Sequence, residues 1–348
     1  MISEKSYTKE RIKEIRGQSK RDPILIERVL FAFGLLEALV RVDAPFVFKG
    51  GTCLMLLLEK PMRLSTDIDI IVNPDTDIDY YLKKAAVIFP FELVEEQIRK
   101  GKNKIVKRHF KFFYNSPTLD EPFHIVLDIL FEETKYETVI KKAINNQFLL
   151  VDEPEVFVNL PSVDCILGDK LTAFAPHTIG ILIKADRQME IIKQLYDIHS
   201  LFEKISNFEE VKETYKKIAK AEIEYRGLEI TYKESLLDTA MSALNIVSQG
   251  NFEKEDYEEY MRGVTAVKSH IFSQDYSGDI AILQACRVFY LAMNMLADKK
   301  EILMTFDANS YINKNIPTKK YGKLSYIKQR DMEAFAYLYE GIQILDVM

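Results

Sequence analysis

The sequence predicts an α+β protein: a strand-rich N-terminal part followed by a mainly helical C-terminal part. Three observations carry this. Short apolar runs bounded by Gly, Pro, Asn and Asp read as strands up to about residue 160. From Ser162 onward, long helical patterns dominate and few strands are evident. The 348 residues suffice for two domains or for one core with a large helical extension. The expected division is 1–160 and 161–348.

The elements follow in order. Residues 8–20 are basic and polar and read as a short helix. Pro23 opens an apolar helical stretch through Val40, because proline suits a first turn. Strands are expected at 45–49 and 67–72, around a Gly50-Gly51-Thr52 turn and a helix-compatible run from Cys53 to Glu59. Asp75 to Phe89 reads as a helix, acidic first and lysine-bearing later. Phe91–Ile98, Lys104–Tyr114 and Phe123–Phe131 read as strands, with 115–122 a connection rich in turn residues. Val156 to Leu160 is a last short apolar run. A helix then begins near Ser162 and Asp164 and reaches Phe174. Ala175-Pro176 through Gly180 breaks it. Further helices are expected at Asp186–Phe202, 207–225, 231–249, 253–272 and 277–297.

Composition narrows the function classes. Hydrophobic content of 47% and charged content of 29% are ordinary for a soluble globular protein. By inspection no apolar run reaches transmembrane length, and the first residues lack a signal-peptide core. The expectation is a cytoplasmic protein without a membrane partner. Cys53, Cys165 and Cys286 are far apart and odd in number, which fits a reducing compartment and argues against a zinc module. With a net charge of −6, a nucleic-acid partner must be met by a local basic patch. The densest basic run is Arg99, Lys100, Lys102, Lys104, Lys107 and Arg108. A solvated hairpin and a phosphate-backbone contact explain it about equally well.

The stretch that bears chemistry is Phe46 to Thr52 followed by Arg63 to Ile70. A glycine turn between a strand and a helix offers close backbone approach and helix-start N–H groups to a phosphate. Asp67 and Asp69, two apart on a strand, point to one face. Two adjacent carboxylates repel, and a divalent cation neutralises them. Mg²⁺ suits a few carboxylates plus phosphate oxygens. Taken alone, Gly-Gly is a turn and Asp-x-Asp is a solvated strand edge or a cap. Asp128 is the only acid inside the apolar run Phe123–Phe131, and buried acids are almost never unpaired. By itself it reads as an Asp at a strand end making a local hydrogen bond. In the helical part, Lys170 sits in a largely apolar helix, where it either snorkels to solvent or meets a triphosphate. Lys193 and Asp197 are four apart on one helical face, and Asp197 lies among Leu195, Tyr196 and Ile198.

The strand, Gly-Gly-Thr, helix and Asp-x-Asp order resembles the polymerase-β-like nucleotidyltransferases. With Arg63-x-Ser65-x-Asp67-Ile-Asp69, Asp169-Lys170-Leu-Thr-Ala173 and Lys193-Gln-Leu-Tyr-Asp197, it resembles the AbiEii/AbiGii-type nucleotidyltransferase toxins, relatives of the MenT toxins, over roughly residues 25–205. The resemblance implies a nucleotidyltransferase N-domain with a mixed sheet and a helical C-domain that contributes Lys170 and Asp197. It implies transfer of a nucleoside monophosphate from a nucleoside triphosphate, with Mg²⁺ or alternatively Mn²⁺, to an acceptor such as the 3′ end of tRNA. It further implies a cognate antitoxin protein. Carried over, Gly50, Gly51 and Thr52 fall on the phosphate turn, with Arg63 and Ser65 also on the nucleotide. Ser65 matches a serine that an antitoxin kinase phosphorylates in some relatives. Asp67 and Asp69 fall on the metal, and with these two placed, the resemblance implies that Asp128 is the third metal-site carboxylate. Lys170 matches the nucleotide-binding lysine and Asp197 the last acidic residue. Many members carry a basic–acidic pair before that last Asp, where this chain has Lys193 and Gln194. Two other readings stay open: a nucleotidyltransferase acting on a protein or small molecule, and a catalytically silent nucleotide-binding protein.

Overall fold

The computed structural model describes residues 1–58, 63–98, 106–272, 275–317 and 320–348. The chain divides into two compact units, Met1–Ser162 with Ser269–Gln274, and Val163–Lys268 with Asp275–Met348.

The first unit opens with helices α1 (Lys9–Ser19) and α2 (Pro23–Arg41). Asp22 caps α2 by accepting from the Ile24 and Leu25 N–H groups, and Pro23 occupies the first turn. A short strand β1 (Val47–Lys49) runs straight into α3 (Gly50–Leu57). The glycines therefore form the start of the helix rather than a separate turn. Next come β2 (Ile68–Val72), α4 (Ile78–Ala85), β3 (Leu93–Glu96), β4 (Lys107–Asn115) and β5 (Pro122–Phe131). These five strands form one sheet in the order β1-β2-β5-β4-β3. The β2–β5 pair is parallel and the other three are antiparallel, so the sheet is mixed. A separate two-stranded sheet pairs β6 (Val139–Ala143) with β7 (Phe157–Pro161).

One face of the large sheet is core. Phe110, Phe112, Tyr114, Ile125, Leu127 and Ile129 are buried on it, and Phe31 of α2 stacks on Tyr114 with centroids 3.8 Å apart. Buried Glu27 is satisfied there, accepting from Tyr114 Oη and the Thr118 N–H, both at 3.0 Å. Such pairing offsets the cost of burying a carboxylate.

The second unit contains α5 (Val163–Ala173), α6 (Gln188–Phe202), α7 (Phe208–Arg226), α8 (Tyr232–Val247), α9 (Lys254–Val267), α10 (Gly278–Leu296), α11 (Ile327–Arg330) and α12 (Met332–Val347). α10 packs on α8, α12 and α6. Contrary to the expectation from inspection, α10 is long and apolar enough to cross a membrane by composition. Of that window, 83% is buried, as suits a core helix packed on α8, α12 and α6.

The expected helix over 253–272 ends earlier, at Val267. Beyond it the chain joins the first unit. The Leu64 N–H donates to His270 O at 2.8 Å, Arg63 bridges to Ile271, and Phe272 meets Phe148 edge-on at 5.2 Å. Ile271 is fully buried there, which favours this docking over another helical turn.

Candidate active site

The site of the first unit is built on backbone register. Lys49 of β1 pairs with Asp69 of β2, Asp69 with Asp128 of β5, and Asp128 with His109 of β4. Residues paired across neighbouring strands share a face. Lys49, Asp69, Asp128 and His109 therefore form a lateral row on the face opposite the buried aromatic core. All four are half-buried. Asp67 lies one residue before β2 begins rather than within the strand, and its side chain is 54% exposed.

Each carboxylate has an identifiable neighbour. Asp67 Oδ1 accepts from Arg28 Nη2 at 3.2 Å and from Thr66 Oγ1 at 3.4 Å. His109 Nδ1 donates to Asp128 Oδ1 at 2.6 Å. Asp69 lies against Gly50, which has φ +83°, in the left-handed region that favours glycine. A Cβ built on Gly50 would sit 2.0 Å from Asp69 Oδ2, so only glycine allows this carboxylate to lie across the helix start. A Cβ on Gly51 would sit 2.7 Å from both Arg63 Nη2 and Ser65 Oγ. Gly50, Gly51, Arg63, Ser65 and Asp69 thus converge at the N-terminus of α3. Lys49, the residue at the N-cap position, does not cap that terminus with its own side chain. The Thr52 hydroxyl points elsewhere, donating to Asp67 O at 2.6 Å, and so fixes the approach to β2.

For a divalent cation the donor chemistry fits. Asp69 and Asp128 are paired by register, Asp67 flanks them, and carboxylate oxygens suit a hard ion. Among the described residues, however, no group of three His, Cys, Asp or Glu side chains closes on one point. Asp67 is turned to Arg28 and Asp128 to His109. Each of these contacts is made by the Oδ1 atom of its carboxylate.

Lys170 and Asp197 come together within the second unit. Lys170 Nζ lies 2.9 Å from Asp197 Oδ2 and donates to Gln194 Oε1 at 3.1 Å. Both residues are buried, Lys170 at 8% and Asp197 at 1% exposure. Lys193 instead pairs with Glu190 at 3.0 Å, so the Lys193–Asp197 helical-face pair suggested by spacing is replaced by Lys170–Asp197. Of the basic run, Arg99, Lys100, Lys102 and Lys104 lie outside the described residues. Arg108 is committed to Asp79 and Glu96 through four hydrogen bonds of 2.8–3.0 Å, which hold both acids below the usual carboxylate range.

Sequence reasoning did not single out Arg28, Lys49 or His109. His109-Phe-Lys-Phe-Phe-Tyr114 carries some alternation but is ambiguous by itself, and the strand register is what places His109 on the face opposite Phe110, Phe112 and Tyr114. Which strand lies beside β4, and in what register, was not readable.

A mixed sheet here sets acids beside a Gly-Gly helix start, an arrangement suited to a phosphate ester and a cation. The chain matches the family described as nucleotidyl transferase AbiEii toxin, type IV toxin–antitoxin system, over residues 34–274, and it belongs to that family. No curated protein matches the chain. Three solved structures resemble it distantly. The crystal structure of JHP933 from Helicobacter pylori is 14% identical, covers 78% of this chain and 93% of its own, and has a TM-score of 0.43. A nucleotidyltransferase structure from H. pylori is 16% identical, covers 80% and 99%, and has a TM-score of 0.44. An antigenic nucleotidyltransferase-like protein from Paracoccidioides brasiliensis is 16% identical, covers 56% and 89%, and has a TM-score of 0.36. The protein is thus a nucleotidyltransferase of a toxin–antitoxin family, for which the family implies a triphosphate substrate and an antitoxin partner.

Proposed function

We propose that the chain transfers a nucleoside monophosphate from a nucleoside triphosphate to the 3′ end of tRNA in the cytoplasm, with Mg²⁺ as cofactor. Mn²⁺ is the alternative ion. The observation that carries this reading is the row of Lys49, Asp69, Asp128 and His109 beside the α3 start.

The first-turn amides at Gly50 and Gly51 would receive the triphosphate, with Arg63 and Ser65 beside them. Asp67, Asp69 and Asp128 would hold the cation, which stabilises the entering and leaving oxygens when bound. His109 positions Asp128, which would draw the proton from the acceptor hydroxyl. Arg28 holds Asp67 until the site is loaded. No nucleophilic side chain is needed, because phosphoryl chemistry of this kind rests on positioning and electrostatics. Lys170 and Asp197 enter this reading through the motif order they share with the family, Lys170 serving the nucleotide and Asp197 fixing the lysine.

The test is pyrophosphate release from each of the four nucleoside triphosphates, with and without total tRNA, in Mg²⁺ or in chelator. Release that needs both tRNA and Mg²⁺ supports the reading. Equal release without tRNA, or none with it, rejects tRNA as the acceptor.

A further inference from the structure

The face of the sheet that bears the carboxylate row continues past it. Two further rows lie on the same face, reached by steps of two residues along the strands. Glu95, Lys111 and Val126 form the next row by register, and Leu93, Phe113 and His124 the one after. Phe113 and His124 are cross-strand partners with ring centroids 5.5 Å apart. Leu93 beside them is 48% exposed, while Lys111, Phe113, His124 and Val126 are half-buried. The reverse face carries Phe112, Tyr114 and Ile125, all buried. The aromatic row therefore lies on the face opposite that core.

Resting on the acceptor reading above, we infer that the Leu93–Phe113–His124 row is a stacking platform for bases of a single-stranded RNA 3′ end whose terminal hydroxyl is presented to Asp128. Three observations support it. The platform and Asp128 share one face and the same pair of strands, β4 and β5. The separation from Asp128 to His124 is four residues, about 14 Å along a strand, room for a terminal nucleotide and its neighbour. Lys111 lies midway and supplies a cation for the intervening phosphate. Burial, with Lys111 and Arg28 nearby, holds His124 below the ordinary imidazole range, so its ring is a neutral face at neutral pH. Aromatic side chains on a sheet face are a known means of reading single-stranded RNA by stacking.

The experiment measures steady-state transfer by the full chain to an RNA with a single-stranded 3′ end, together with affinity for a fluorescent nucleoside triphosphate. Phe113→Ala is expected to raise KM for RNA about five- to a hundredfold, the range for loss of one stacked base. Phe113→Tyr should restore KM, and triphosphate affinity should stay unchanged in both. If Phe113→Ala folds poorly, Phe113→Leu keeps an apolar side chain without the ring and should show the same rise. An unchanged KM for RNA in a folded Phe113→Ala or Phe113→Leu protein would leave the pair as ordinary sheet packing and overturn the platform alone. A loss of triphosphate affinity with unchanged KM for RNA would also overturn it, assigning the row to the incoming nucleotide. Absence of any RNA labelling by the wild type would take down both the acceptor reading and the platform.

Discussion

Replacing Gly50 with alanine perturbs the site without touching any of its chemical groups. The residue has φ +83°, where a non-glycine residue costs about 1–2 kcal/mol. The new Cβ would start 2.0 Å from Asp69 Oδ2, and ordinary contact begins at 3.4 Å, so the carboxylate must move by more than an ångström. For a unit of this size, the backbone cost alone corresponds to a fall in Tm of roughly 2–8 °C. A displacement of about 1 Å at a catalytic group costs roughly a hundredfold in rate. Gly50→Ala should therefore lose about two orders of magnitude in transfer while remaining folded. Gly17→Ala is the control. Gly17 is exposed on α1 with nothing within 4 Å of a built Cβ, and its change should stabilise by up to about 1 kcal/mol with full activity. Calorimetry and transfer assays on both variants decide the matter. Wild-type transfer by Gly50→Ala would refute the claim that the Gly50–Asp69 approach positions the carboxylate.

Four other outcomes are expected. Asp67→Asn should abolish Mg²⁺-dependent transfer but change Tm little, because its pairing with Arg28 is largely exposed and such pairs contribute at most about 1 kcal/mol; a large fall in Tm with retained transfer would make Asp67 structural. Lys170→Ala should destabilise by about 3–5 kcal/mol in a denaturant titration, since it removes the ammonium beside the buried Asp197 carboxylate; unchanged stability would show that the pair is not maintained in solution. Ser65→Glu should abolish both triphosphate binding and toxicity on expression, because its carboxylate would lie beside Arg63 at the helix start where a phosphate is assigned, while Ser65→Ala should cost far less; growth curves and a nucleotide-binding assay separate the two. His177 donates to Asp238 and Asp256, and these bonds raise its pKa from 6.5 to about 9. A raised folded-state pKa gives stability that is complete below about pH 6.5 and lost as pH rises through about 9, so His177→Gln should flatten the stability profile across that window.

Much of this architecture is legible in residue pattern. Residues 104–114 read as a strand although their alternation is ambiguous, and the acid at position 128 stands out in the apolar run of another. Asp22-Pro23 announces the start of α2 through capping chemistry. What local sequence cannot reveal is pairing. Nothing near His109 says that it lies opposite Asp128, because register is set by strands distant in the chain. The same applies to Lys170. Its helical pattern is compatible with snorkelling or with a phosphate, and the choice of Asp197 as partner depends on how α5 packs on α6. Val139–Ala143 was missed as a strand because its exposed Val-Ile-Lys-Lys run has no buried face to signal one. The early end of α9 was missed because helical pattern continues through 268–272, while the docking of Ile271 is a tertiary preference.

The central claim is that the carboxylate row performs nucleotide transfer to RNA. Its most direct test is incubation of wild type and Asp69→Asn with α-labelled nucleoside triphosphates and total tRNA, followed by separation of RNA from protein. The account predicts label in tRNA with wild type only when Mg²⁺ or Mn²⁺ is present, and none with Asp69→Asn in a folded protein. Label of equal intensity from Asp69→Asn, or label confined to protein, would contradict it.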